Sequence, residues 1–414
     1  MNFDKEYELL EKLYFERVSG SEGEKQACLL LKEELEKLGL HPVVESFDTQ
    51  HSVVEKVTLE VCEPYQKEYQ ATAYKGCQST EANGLLKELC YFESDNPVSR
   101  KMVKDKIALI NGYLNRATYQ AITEAGAKAF ISYNGDVDRA INDLDPRELR
   151  ESLQKLGNLP GVNILVKDAM EMVANGASQI RMTIQQENTK TPSYNLVCDL
   201  KGESDEVIVL CAHYDSVPHS KGPYDNASGV VALYAIAEKL RNQKLHHTLR
   251  LLFCGSEERG LCGSQAYIKQ HASELDNIQF VINIDMIGST MGKRIAVCTS
   301  EEALVHYTDY YAKMVGFPLQ CSQAVYPSDS TSFADAGIPA ITFARDATKG
   351  TGSIHSRYDV LENLCKNKIA EDTEFICGYV ESMLDAYVIP VAKEMPENMK
   401  RELDRYQGRE KKRS

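Results

Sequence analysis

The sequence predicts an α/β protein with a mixed, mostly parallel sheet covered by helices on both faces, and a smaller inserted domain that is β-rich and α+β. Strand-like and helical patterns alternate from residue 194 onward, which is typical of parallel strands joined by crossover helices. Segment 207–210, VIVL, is an apolar β-branched run, as expected of a strand buried on both faces. Between residues 56 and 188, strand-like segments follow one another with few helices, which indicates an insertion.

The chain length of 414 residues favours two domains over one. We predict a main domain of residues 1–55 and 189–390, an inserted domain of residues 56–188, and a charged tail of residues 391–414 that frays. The inserted segment could instead add strands to the main sheet, and this alternative stays open.

Two helices and a short strand open the chain. Residues 4–15 have helical periodicity, and Ser21 and Glu24 have the spacing of a capping box that starts a second helix. A strand is predicted at 42–47. In the insertion we predict strands at 56–61, 69–74, 84–91, 106–110, 126–133 and 179–184, and helices at 118–125 and 168–174. In the main domain we predict strands at 194–199, 207–210, 248–254, 278–284, 294–299 and 339–343, and helices at 227–240, 264–271, 301–315 and 368–388.

Charge and cysteine content limit the partners and the compartment. Lys and Arg total 47 against 61 Asp and Glu, a net charge of -14, so nucleic acid is not expected as a partner. The amino terminus lacks the pattern of a secretory signal, and no apolar run approaches the roughly 20 residues that span a bilayer. The twelve cysteines are scattered without a CxxC pair, which favours free thiols. We therefore predict a cytoplasmic protein without a membrane partner; a homo-oligomer is compatible with the sequence.

Ionisable residues follow most of the predicted strands of the main domain. They are His213, Asp215, Asp225, Glu257, Glu258, Asp285 and His355. Because the carboxyl ends of parallel strands meet at one edge of a sheet, these side chains are expected to converge. So many acids in one place require cations, and imidazole with carboxylate suits zinc, with cobalt or manganese as alternatives. The pattern predicts a site for two divalent ions.

Each residue also has a structural interpretation when it is taken alone. Asp225 lies at the start of a predicted helix and could simply cap it. Glu257 and Glu258 could be solvated acids of a polar loop, and His213 and His355 could be loop histidines with local partners. These alternatives stay open at the level of single residues.

Asp215 and Asp285 differ in how easily they are explained without a metal. Asp215, two residues after His213, could be a turn residue, or it could orient the imidazole through its second nitrogen. Asp285 directly follows the apolar run VINI, so it would be nearly buried and would need a partner. The sequence contains no P-loop, GxGxxG, GxSxG or HExxH motif.

Six segments, in this order, resemble the di-zinc aminopeptidases of the aminopeptidase Y and Streptomyces aminopeptidase type. The segments are AHYDS, GPYDNASG, SEERGLCGS, NIDMIG, SDSTSFADAGIPA and IHSRYD. The same family contains the glutamate carboxypeptidase and transferrin-receptor branch. The resemblance covers about 1–55 and 190–390 and implies a zinc-exopeptidase fold. The inserted segment, with KDKIALI, AGAKAFISYN and LPGVNI, more loosely resembles a protease-associated domain.

The resemblance also implies a role for each candidate residue. His213 and Asp285 would ligate one zinc ion, Glu258 and His355 the other, Asp225 would bridge both, Glu257 would be the general acid/base, and Asp215 would support His213. A supporting role for Asp359 and a cis peptide bond between Asp225 and Asn226 are implied as well.

Two positions depart from the family pattern. Ser330 follows Asp329 where many relatives carry histidine. Ile354 occupies the position of a tyrosine that, in some relatives, helps to stabilise the oxyanion. Tyr326 is a nearby substitute.

The predicted function is a metallo-exopeptidase that removes amino-terminal residues from short peptides, through a water bridging two metal ions and Glu257 as general base. A dipeptidase or carboxypeptidase on the same site is one alternative, in which Arg259 or Arg345 would bind the substrate carboxylate. A glutaminyl cyclase-like transferase, which uses one zinc, is a second. A non-enzymatic binding protein on the same scaffold is a third. The side-chain preference is not predicted.

Overall fold

The computed structural model describes residues 3–409. The helices are α1 Asp4–Lys12, α2 Glu22–Lys37, α3 Pro97–Val103, α4 Arg116–Glu124, α5 Glu151–Gln154, α6 Val166–Ala174, α7 Ser228–Leu240, α8 Cys262–Gln270, α9 Glu302–Val315, α10 Ser330–Asp335, α11 Lys366–Leu384 and α12 Glu397–Gln407. The strands are β1 Val43–Glu63, β2 Lys67–Tyr69, β3 Thr72–Ala73, β4 Leu85–Phe92, β5 Ile107–Ile110, β6 Ala129–Asn134, β7 Gly161–Leu165, β8 Gln179–Leu200, β9 Val207–His213, β10 Thr248–Cys254, β11 Ile278–Ile284, β12 Gly292–Thr299, β13 Gln320–Gln323 and β14 Ala340–Ala347.

The chain divides into two compact units. Unit 1 extends up to Thr49 and resumes at Pro192, and unit 2 is Gln50–Thr191. Both boundaries lie inside long strands, because β1 has 21 residues and β8 has 22. This continuity explains why the prediction of an insertion at 56–188 differs from the observed bounds by a few residues. That unit 2 is a protease-associated domain stays a prediction.

Unit 1 is built on a mixed, mostly parallel sheet, as predicted. Its strand order is β13-β12-β14-β11-β9-β10-β8. β9 is parallel to both β10 and β11, and β11 is parallel to β14. Strands β8 and β12 are antiparallel to their neighbours β10 and β14. The central strands therefore all end at the same edge of the sheet.

Strand β9 is buried on both faces. Ile208 and Leu210 belong to a core shared with α1, α7 and α11. Val209 and Cys211 belong to a second core with side chains of α8, α10 and α12. Because successive strand residues point to opposite faces, helices cover both sides of the sheet. This confirms the predicted fold class of the main domain.

The described part of the predicted charged tail forms a packed helix rather than a frayed end. Met399 and Leu403 of α12 are buried in the second core of unit 1. These two residues lie four apart on one face of a helix that is otherwise polar. Because the neighbouring residues are mostly charged, this short apolar stripe did not indicate a packed helix in the sequence. Residues 410–414 of the predicted tail lie outside the described residues.

In unit 2 the strand order is β8-β4-β5-β6-β7-β3. Strands β4 to β7 are parallel, while β8 and β3 are antiparallel to β4 and β7 at the two ends. Every residue of β5 is buried in the core of this unit.

All twelve cysteines lie in the described part of the chain and none forms a disulfide bond there, as the sequence predicted. Within residues 3–409, no helix has the length and apolar character needed to cross a membrane. The cytoplasmic location and the oligomeric state stay predictions.

Candidate metal centre

Two groups of candidate ligands lie at the carboxyl edge of the unit 1 sheet. One group consists of His213, Asp225 and Asp285, and the other of Asp225, Glu258 and His355; within each group the ligand atoms lie within 4.8 Å of one another. Asp225 is common to both groups. The spacing and chemistry of these atoms suit two divalent cations held by nitrogen and oxygen ligands.

The carboxylate of Asp225 faces both imidazoles. Its Oδ1 lies 3.2 Å from Nε2 of His213, and its Oδ2 lies 3.1 Å from Nε2 of His355. The same His213 nitrogen is 3.7 Å from Asp285 Oδ1, and the same His355 nitrogen is 3.1 Å from Glu258 Oε2. Each oxygen of Asp225 is therefore directed to a different group.

The topology of the sheet explains this convergence. His213 is the last residue of β9, and Asp285 directly follows β11. Glu257 and Glu258 follow the end of β10, and His355 lies in the loop after β14. Because β9, β10, β11 and β14 are parallel, residues distant in sequence meet at one edge.

The backbone around Asp225 is fixed by neighbouring side chains. The peptide bond between Asp225 and Asn226 is cis, as the resemblance implied. Asp359 accepts hydrogen bonds of 3.1 Å from the backbone N–H groups of Tyr224 and Asp225. It is Asn226 that accepts a hydrogen bond from the N–H of Gly229 at the start of α7. The alternative in which Asp225 caps this helix is therefore wrong, because its neighbour makes that bond.

Asp215 is fully buried and connects three elements of the site. Its Oδ1 accepts a hydrogen bond of 2.9 Å from the N–H of Glu257 and lies 3.4 Å from Nδ1 of His213. Its Oδ2 accepts hydrogen bonds from the N–H of Glu258 and from the Ser19 hydroxyl. Asp215 is thus placed to orient the imidazole and both glutamates.

Unsatisfied polar atoms test whether a metal fits this site. Among residues 3–409, the buried atoms without a hydrogen-bond partner include Nδ1 of His213, Oε1 of Glu258 and Oδ1 of Asp285. A buried polar atom without a partner is costly, so three such atoms in one cluster, two of them carboxylate oxygens, require an explanation. Cations coordinated by these side chains would satisfy the carboxylates, and the donor set fits zinc.

Burial and mutual repulsion govern the protonation of the cluster. Burial raises the pKa of Glu257 well above its ordinary value; His213 opposes this effect, while Glu258 and Asp329 add to it. Burial alone would lower the pKa of His213, but Glu257 and the surrounding carboxylates raise it well above its ordinary value. Contacts with the imidazoles lower the pKa of Asp225 against the effect of burial. The carboxylates thus favour positive charge at the centre of the cluster.

Glu257 lies beside the two ligand groups but belongs to neither. Glu257 is 9% exposed and His213 is buried, whereas the His355 side chain is 47% exposed. The His355 side of the site is therefore open to solvent, while Glu257 is nearly buried.

The residues considered for binding the substrate carboxylate or the oxyanion have the following surroundings. Arg345, a candidate for binding a substrate carboxylate, is buried and makes two hydrogen bonds of 2.6 and 2.7 Å to Asp372. Ile354 is 39% exposed and offers no hydroxyl. Tyr326 lies close enough to Asp285 and Asp225 for their charges to raise the pKa of its hydroxyl, after burial as the main cause.

Sequence reasoning also missed residues behind the ligands. Arg17 and Glu24 are fully buried and contact the loops that carry the ligands. Asp329 is fully buried beside the cluster, where burial raises its pKa to about 6. A single arginine in a sequence does not indicate a role near a metal site. Glu24 was missed because the capping box already explained its position.

Fold and site together define a metal-dependent hydrolase. Residues 195–380 match the model of Peptidase family M28, and this segment contains all the candidate ligands. Over this segment the chain is similar to Peptidase family M28, and together with the fold and the site this similarity identifies it as a metallopeptidase.

Curated relatives agree with this assignment. Aminopeptidase YwaD of Bacillus subtilis is 26% identical over 387 residues, which cover 88% of this chain and 80% of that protein. The probable leucine aminopeptidase 2 of Aspergillus oryzae is 27% identical over 287 residues, 66% of this chain and 55% of that protein.

Solved structures share the fold. A structure of BSAP, a zinc aminopeptidase from Bacillus subtilis, superposes with a TM-score of 0.77 at 24% identity, covering 94% of this chain and 98% of that one. The aminopeptidase from Aneurinibacillus sp. strain AM-1 gives a TM-score of 0.74 at 22% identity, with coverage of 94% and 96%.

Proposed function

We propose that this chain is an aminopeptidase that removes the amino-terminal residue of short peptides at a centre of two divalent ions. His213 and Asp285 would hold one ion, Glu258 and His355 the other, and Asp225 both. The observation that carries this proposal is the Asp225 carboxylate, whose two oxygens face two different imidazoles at 3.1 and 3.2 Å. Zinc is the proposed metal, with cobalt or manganese as alternatives; the donor set and the zinc aminopeptidase that shares the fold support it.

When bound, the two ions would supply the positive charge that acidifies a water molecule and stabilises negative charge on the substrate carbonyl oxygen. The chain itself supplies proton transfer. The carboxylate of Glu257 accepts a proton from the attacking water and delivers it to the leaving amine. Asp215 keeps this glutamate in position through the hydrogen bond to its backbone N–H. Glu257 can do this work because it is not needed as a ligand.

The charge of the site supports attack at the amino end of the substrate. Besides the proposed ligands, the carboxylates of Glu257, Asp329 and Asp359 lie in or beside the cluster. This negative potential attracts a protonated amino terminus and repels a carboxylate. A carboxypeptidase needs a cationic partner for the substrate carboxylate. Arg345 is already paired with Asp372, so this alternative would depend on Arg259. A cyclase-like transferase with a single zinc would leave the second ligand group without a role.

The polarity of cleavage is tested with paired substrates. We expect leucyl-p-nitroanilide to be hydrolysed at least about 100-fold faster than its N-acetyl counterpart, because acetylation removes the charge that pairs with buried carboxylates. Dipeptides with a free and an amidated carboxyl terminus serve as controls and should be cleaved at similar rates. Equal cleavage of blocked and free substrates, or a strict need for a free carboxylate, would contradict an aminopeptidase.

A further inference from the structure

The segment of residues 17–24 comprises the end of the α1–α2 connection and the first turn of α2. It contributes no candidate ligand, yet it contacts the ligand-bearing loops that follow β9 and β10. We propose that this positioning segment, through Arg17, Ser19 and Glu24, sets the affinity and geometry of the metal centre. The inference rests on the proposed function for the existence of that centre, and it concerns residues outside the segment matched by the family model.

Arg17 holds the loop that separates His213 from Asp225. Its Nε donates to the carbonyl of Tyr214 at 2.6 Å, and its Nη2 donates to the carbonyl of Gly222 at 2.9 Å. Its Nη1 donates to the carbonyl of Lys221 at 2.5 Å, and to the carbonyls of Leu13 and Phe15, which follow α1. One guanidinium thus binds both ends of the loop and fixes the separation of two proposed ligands.

The charge of Arg17 is unusual for a residue that is fully buried. Within the described residues its guanidinium hydrogen bonds all go to backbone carbonyls, and an unpaired buried cation is costly. Burial lowers the pKa of Arg17 to about 10, so the side chain stays protonated at neutral pH, and Asp215, Asp359 and Asp225 favour the charged form. Arg17 therefore offsets part of the negative charge behind the ligands.

Ser19 acts on the residue that orients His213. Its hydroxyl donates to Oδ2 of Asp215 at 2.8 Å in a buried environment. The other oxygen of Asp215 is the one that contacts the imidazole of His213 and the N–H of Glu257. Loss of the Ser19 hydroxyl would remove the shorter of the two hydrogen bonds to Oδ2 of Asp215 and leave the one from the N–H of Glu258 at 3.2 Å. The carboxylate would be held less firmly, and both contacts of its other oxygen would loosen.

Glu24 holds the second loop. Its Oε1 accepts hydrogen bonds from the N–H and hydroxyl of Ser256, at 2.8 and 2.9 Å, and from the Ser193 hydroxyl at 2.9 Å. Ser256 directly precedes Glu257 and has a φ of 53°, a left-handed conformation that costs free energy for a serine. The three bonds from Glu24 compensate this cost and keep Glu257 and Glu258 in place.

The loop that Glu24 holds is closely packed at Gly255. A Cβ atom at this position would lie 2.4 Å from the carbonyl oxygen of Tyr194, 2.8 Å from the Ser193 hydroxyl oxygen and 3.0 Å from Oε1 of Glu24. The carbonyl group of Tyr194 is the main obstacle to a side chain here, and glycine allows the loop to lie against Ser193 and Glu24.

The test measures metal binding without substrate. Arg17→Met, Arg17→Lys and Ser19→Ala are made, with Arg250→Met as a matched control; Arg250 pairs with Asp199, far along β10 from its carboxyl end. Metal-free proteins are titrated with Co²⁺, the visible absorption of the bound Co²⁺ is recorded as a measure of ligand geometry, and the thermal midpoint of each metal-free protein is determined.

Outer partners of metal ligands typically contribute 10- to 100-fold in affinity. We expect a loss of about 10-fold in Co²⁺ affinity for Ser19→Ala and about 100-fold for Arg17→Met, with partial recovery in Arg17→Lys and altered absorption bands. Arg250→Met should lower the thermal midpoint while its Co²⁺ affinity stays within about twofold of the unsubstituted protein.

Unchanged Co²⁺ affinity and spectrum in Ser19→Ala and Arg17→Lys would overturn the inference, even if both proteins were less stable. If Arg17→Met does not fold, the Co²⁺ affinities and spectra of these two milder substitutions test the inference. Failure of the proposed function has a different outcome: an unsubstituted protein that binds Co²⁺ but hydrolyses no aminoacyl substrate. The positioning role would still be judged by the affinities.

Discussion

Replacing Asp225 with alanine is expected to yield a folded protein whose affinity for both metal ions falls by more than about 100-fold. The loss should exceed the 10- to 100-fold typical of outer partners, because the carboxylate proposed to bridge the two ions is itself removed. Among the described residues, Asp225 alone belongs to both ligand groups. Metal content after dialysis and Co²⁺ titration measure the effect.

Asp309→Ala is the matched control for this substitution, since Asp309 lies on α9 and pairs with Lys313 on the surface. It should keep the metal content of the unsubstituted protein. Full occupancy of both positions in Asp225→Ala would show that this residue is not the bridge.

Glu257→Gln is expected to keep both metal ions and to lose about 10²- to 10⁴-fold in kcat, the usual contribution of a general base. Glutamine preserves the shape of the side chain and the backbone N–H that bonds to Asp215, but it cannot accept the proton. The kcat for an aminoacyl-p-nitroanilide and the metal content are measured on the same samples.

The adjacent glutamate provides the contrast. Glu258→Gln should weaken metal binding, since Oε2 of Glu258 faces His355 in a ligand group. If Glu257→Gln lost metal, or kept its full kcat, the division of roles between the two glutamates would be wrong.

The fold of unit 1 could be predicted because its signals are local. The apolar run that forms β9 and the alternation of strands with helices depend on neighbouring residues. The convergence of His213, Glu258, Asp285 and His355 then follows from parallel strands ending at one edge. The role of Asp225 needed the distant residues, because the residues near its own position favoured a helix cap.

What the sequence could not provide depends on contacts between distant segments. Glu24 has the spacing of a capping box, and Ser21 does accept a hydrogen bond from its N–H. Its carboxylate, however, binds Ser256 and Ser193, more than 150 residues away. The same holds for Arg17, whose acceptors are backbone carbonyls that carry no sequence signature.

The number of metal ions per chain tests the central claim most directly. Metal-free protein is titrated with Zn²⁺ by isothermal calorimetry, and bound metal is quantified independently after gel filtration. The shared carboxylate of Asp225 predicts two ions per chain. A stoichiometry of one Zn²⁺ per chain in an active protein would contradict the two-ion site and favour a single-metal centre.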